Sequence, residues 1–157
     1  MEIFSKIYSW FVTYPESLYQ FLSGLDCEMV EESNTNQFIL IGFVTLFVSA
    51  MFCLLFYFVR HSKYNGFLSW FVVLLLDAVT SWLVGWEICK SNEGNIPDCF
   101  LYKPGTLDLQ IDSMAYVAFG FSNTIVAVIW FLLFSVILKR FSTDCRHTPW
   151  KSIWPRH

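Results

Sequence analysis

One aspartate, Asp77, stands at the middle of an otherwise uncharged apolar run, GFLSWFVVLLLDAVTSW, that opens at residue 66. A carboxyl at the centre of a membrane helix costs roughly 3 kcal/mol to insert, and each Leu, Val or Phe returns roughly 0.3–0.6 kcal/mol. Phe67, Leu68, Phe71, Val72, Val73, Leu74, Leu75, Leu76, Val79, Leu83 and Val84 together cover that cost, provided Asp77 faces something other than lipid. Two chemistries suit such a group. It can bind a proton or a cation, since intramembrane carboxylates commonly mark ion pathways. It can instead be a hydrogen-bonded clasp that fixes helix packing, because a buried carboxyl is costlier charged than neutral. The clasp is the preferred reading.

The second reactive set is the cysteines. Cys89 and Cys99 bound a polar loop that a disulfide would close in an oxidising compartment. Cys27 lies on the same side, so a bond from Cys27 to either of them stays open; Cys53, inside a span, and Cys145 are expected to be free. Other chemistry lacks its residues. There is no CxxC, no intramembrane histidine, no Ser-His pairing and no metal-ligand spacing, and His61, His147 and His157 have no nearby acids. The chain is therefore expected to be no enzyme and to hold no metal or cofactor.

The elements that position these residues follow from composition. Of 157 residues, 55% are hydrophobic and 15% charged, too apolar for a soluble domain of this size. Three runs reach the length of about 20 residues that a bilayer demands. They cover 37–59, 66–88 and 114–138, and 89–113 joins the last two as a loop with turn signals at Pro97, Pro104 and Gly105. The loop RHSKYNG is so short that the first two spans must be antiparallel neighbours.

Ahead of the spans, residues 2–24 repeat apolar groups at helical steps: Phe4, Ile7, Phe11, Tyr14, Leu18, Phe21, Leu22 and Leu25. Pro15 and Gly24 punctuate this stretch, which is too polar to span and reads as an amphipathic helix in the headgroup layer or docked on the bundle. With the acidic connector it makes an outer segment, 1–36, followed by a bundle over 37–138 and a basic tail over 139–157. No cleavable signal is recognisable near Met1, so the mature chain is expected to begin there. The fold class is an all-α membrane protein, a three-transmembrane-helix bundle with an N-terminal amphipathic interfacial helix.

Lys and Arg set the orientation. Arg60, Lys63, Lys139, Arg140, Arg146, Lys151 and Arg156 fall on one side, against Lys6, Lys90 and Lys103 on the other. The positive-inside rule then places the C-terminus in the cytoplasm and the N-terminus and cysteine loop outside a cell (inner) membrane. Trp10, Trp82, Trp86, Trp150 and Trp154 read as interfacial anchors, and Glu87 as an interfacial charge.

Each span also carries a stripe of small and polar residues at steps of three or four, which lets membrane helices approach and bond. The stripes are Gly42, Thr45, Ser49 and Cys53; Asp77, Ser81 and Gly85 with Thr80 alongside; and Tyr116, Gly120, Asn123 and Ala127. Counted inward from the span ends, Ser49, Asp77 and Asn123 fall at one depth and are expected to meet, with Ser81 in the same seam. No motif assigns the chain to a family. The expected partners are the lipid bilayer and another integral membrane protein, or a second copy of the chain, and no nucleic acid. The preferred function is to bind or block another membrane component, as immunity, superinfection-exclusion or accessory-subunit proteins do. The alternative is a homo-oligomeric channel for ions or protons with Asp77 in the pore.

Overall fold

A computed structural model describes residues 7, 8, 10, 15–25, 27, 36–59, 67–103 and 108–139. Most of the acidic connector, the loop between the first two spans and the basic tail beyond Lys139 lie outside the described residues. Helices dominate: α1 (Glu16–Leu22), α2 (Gln37–Leu54), α3 (Phe67–Ser91), α4 (Asp98–Leu101) and α5 (Ser113–Lys139). A π-helical turn, Leu55–Val59, extends α2, and a 3₁₀ turn, Glu93–Asn95, follows α3. The described residues contain no strand beyond an isolated antiparallel bridge between Tyr102 and Leu109.

Three of these helices are long and apolar enough to cross a bilayer, over Gln37–Phe58, Phe67–Asn95 and Ser113–Lys139. They are apolar on all sides, as spanning helices must be: Phe43, Phe47, Leu68, Leu75, Val79, Phe121 and Ile137 point outward. Backbone bonding within each helix satisfies the polar main chain where no water can. The second span runs beyond the expected end at residue 88, and α3 continues to Ser91. Its last turn therefore carries Cys89 as part of the helix instead of the loop.

The end of the bundle where α2 begins, α3 finishes and α5 begins is covered by a small cap. Within α1, Leu18, Phe21 and Leu22 are buried, joining Phe38 and Ile41 of α2, Ile96, Phe100 of α4, Ile111, and Ala115, Tyr116 and Phe119 of α5 in one apolar cluster. Lys103 N–H donates to the Asp108 carbonyl at 3.0 Å and Gln110 N–H to the Leu101 carbonyl at 2.8 Å, holding the intervening loop as a narrow pair. Of the stretch expected as an amphipathic helix, α1 is described and its apolar side faces protein. Gly24 closes α1 at φ 83°, a left-handed turn that a side chain would strain.

A disulfide joins Cys27 to Cys99, with Cα atoms 6.0 Å apart. This corrects the expected Cys89–Cys99 pair. Cys89 lies four residues beyond Gly85, on the same inward stripe as Asp77 and Ser81, and is buried as a free thiol. A side chain aimed into the helix bundle is turned away from the loop, which leaves Cys99 to the connector.

Candidate functional site

The inward stripes of α2 and α5 meet rung by rung. The two helices run in the same direction, and their polar contacts repeat at one constant offset in sequence. Thr45 Oγ1 donates to Asn123 Oδ1 at 2.8 Å, Ser49 Oγ to the Ala127 carbonyl at 3.4 Å, and Cys53 Sγ to the Phe131 carbonyl at 3.4 Å. Tyr57 Oη and Ser135 Oγ share a hydrogen bond of 2.6 Å. The step is four residues on both helices. An α-helix turns by roughly 400° in four residues, so a four-residue ladder creeps sideways by about 40° per rung. The π turn that holds Tyr57 winds less per residue and brings the phenol back over Ser135.

α3 closes the ladder at two levels. At the first, Asn123 is the hub. Its Nδ2 donates to the Ser81 carbonyl at 2.6 Å, while Oδ1 accepts from Thr45 and from the Tyr8 phenol at 2.7 Å. One turn further along, Ser49 Oγ reaches both oxygens of Asp77, at 3.0 and 3.2 Å. Among the described residues Ser49 is the one side chain that bonds the Asp77 carboxyl, and no lysine, arginine or histidine does. Asp77, Ser49, Ser81 and Asn123 are all fully buried. A last level lies toward the far end, where Trp70 Nε1 donates to Ser135 Oγ at 2.9 Å.

Glycines set how close α3 and α5 come. A Cβ on Gly85 would lie 3.0 Å from Asn123 Cβ, and one on Gly120 would lie 2.7 Å from Trp82 Nε1. Both positions are closed to larger residues, as expected of small residues at membrane helix contacts. Trp82 stacks parallel on Trp86, and Lys90 Nζ sits 4.7 Å above the Trp86 ring. These rings and the ammonium form one stripe at the cap end of α3.

The four expected site residues are thus brought together, in two layers instead of one. Ser49 and Asp77 share a layer; Asn123 lies a turn nearer the cap, level with Ser81, because it bonds the Ser81 carbonyl. Ser81 takes part through its main chain, and its Oγ is buried without a hydrogen-bond partner, as are Trp82 Nε1 and Tyr116 Oη. The cysteine pair named with them, Cys89 and Cys99, is not a bonded pair.

Tyr8, Ser122 and Ser135 belong to the polar seam and were not legible as members of it. Tyr8 comes from a segment whose pattern signals amphipathicity but no address. Ser135 had a signal: it continues the series Asn123, Ala127, Phe131 by one more step of four. Among the described residues no cluster of His, Cys, Asp or Glu could hold a metal ion. Comparison with protein-family models, curated proteins and solved structures gave no match, so a functional reading rests on this geometry.

Proposed function

We propose that this chain is a non-catalytic, multi-pass protein of the cell (inner) membrane that binds or blocks another membrane component through its cap. The observation that carries the reading is the cap itself. Three apolar helices bonded by an internal ladder do not need α1, α4 and a Cys27–Cys99 crosslink over their end. A packed and crosslinked surface beyond the membrane suits recognition by a partner. The spans point the same way: their buried hydroxyls are largely turned onto one another, and the outward faces of α2, α3 and α5 are apolar. A pore would instead need a continuous polar face along a helix.

In this reading the cap lies outside and the tail in the cytoplasm. The Lys and Arg asymmetry supports that orientation, and so does a disulfide at the cap end. α1 then lies near the outer headgroups while its apolar side packs on the cap. The partner is of the kind met by immunity, exclusion or accessory-subunit proteins.

Photo-crosslinkers placed at the exposed cap residue Leu109 and the lipid-facing Leu75 test this in native membranes. A stoichiometric second membrane protein captured through 109 and retained through mild solubilisation is the expected result. A lone homo-oligomer that conducts ions in reconstituted vesicles, and loses conduction in Asp77→Asn, would establish the channel instead.

A further inference from the structure

Tyr8 is the deepest part of the N-terminal segment. It is completely buried, whereas Trp10, on the same helical turn, is 82% exposed. Its ring stands between Phe119, with centroids 5.4 Å apart and planes at 24°, and Phe38 at 5.6 Å. The phenol donates to Asn123 Oδ1 at 2.7 Å, and Ser122 Oγ donates to the Tyr8 carbonyl, also at 2.7 Å. Everything that lines this seat belongs to α2 or α5.

We propose that this seat is a binding pocket for an aromatic hydroxyl, and that the N-terminal segment is the latch that fills it with the chain's own Tyr8. The acceptor is organised without the latch. Thr45 holds the same Asn123 oxygen and the Ser81 carbonyl holds its Nδ2, so the amide keeps its orientation when the phenol leaves. The aromatic walls are likewise side chains of spanning helices. The occupant, by contrast, comes from a short segment set off from α1 by Pro15, and a helical turn of that length has little stability of its own. A preformed site filled by a detachable group of the same chain is the arrangement of an intramolecular ligand. The class of molecule that competes for it is a phenol, free or as a tyrosine side chain. This inference stands apart from the identity of any partner of the cap.

The test uses the full chain with Tyr8→Gly in detergent and p-cresol as the probe, with toluene as the control lacking the hydroxyl. p-Cresol should raise the melting temperature of Tyr8→Gly saturably and leave the wild type, whose seat is filled, unchanged. It should bind roughly fivefold to tenfold tighter than toluene, the worth of one buried hydrogen bond. Adding Asn123→Leu should erase that preference. If Tyr8→Gly is unstable on its own, p-cresol present during solubilisation should recover folded protein where toluene does not. Equal effects of p-cresol and toluene, an equal shift in the wild type, or a variant that p-cresol cannot recover would each overturn the proposal.

Discussion

Asn123 and Asp77 are both buried polar residues, and their surroundings predict different responses to mutation. Asn123 joins α2, α3, α5 and the N-terminal segment through one amide, so Asn123→Leu removes three hydrogen bonds at once. At roughly 0.6 kcal/mol for each interhelical bond in a membrane protein, thermal unfolding in detergent should show a loss of about 2 kcal/mol. Asp77 is held by Ser49 alone. Asp77→Asn should keep that bond and melt near the wild type, whereas Asp77→Leu should lose about 1–2 kcal/mol. An Asn variant as unstable as the Leu variant would sink the clasp. Sequence pattern was enough to find both residues, because a polar group inside an apolar run is conspicuous. Their relative depth was not, since counting from span ends is uncertain by a turn. The bond to the Ser81 carbonyl, a main-chain acceptor with no sequence signature, is what fixes it.

Between elements, the contact of α3 with α5 depends on an absent side chain. Gly120→Val places carbon where the Trp82 indole now lies, and over-packing of this kind costs roughly 1–3 kcal/mol. Trp82→Ala in the same chain should recover part of the loss, and a double-mutant cycle on melting temperatures measures the coupling. Additive effects would show that the two residues do not meet. The ladder of α2 with α5 predicts a smaller effect at its far end. Tyr57→Phe should lose about 0.6 kcal/mol, an ordinary interhelical bond. The stripes themselves were readable from steps of three and four. The π turn that aligns the last rung was not, because LFYFV is as ordinary a helical sequence as its neighbours.

For the whole molecule, three apolar runs announced three spans, and the structure has helices able to span in each place. The cap was not foreseeable as a packed unit. Its apolar residues are spread over α1, the turn at Ile96, α4 and the ends of α2 and α5, each too short a stretch to signal a core. The same dispersal hid the crosslink, for which proximity in sequence favoured Cys89. Mass spectrometry of a non-reduced digest should show Cys27 linked to Cys99 and Cys89 unmodified. Cys27→Ser should lower the stability by roughly 2–4 kcal/mol, and Cys89→Ser by no disulfide-sized step. Orientation is checked in intact cells with an impermeant thiol reagent. A cysteine at Asn34 should be labelled and one at Ser152 should not.

The bond between Cys27 and Cys99 closes the polypeptide into a covalent ring that contains α2 and α3, while α5 lies beyond it. During synthesis both thiols reach the same face of the membrane as soon as the second span is across, before the third has been made. Oxidation therefore has no need to wait for α5. The surface on which the ring comes to rest does need it, because Ile111, Tyr116 and Phe119 supply part of the cap's apolar cluster. The last helix to be translated is thus received by two that are already tethered. Its docking turns a loose loop into a fixed one, so the covalent step precedes the conformational step in the birth of the molecule.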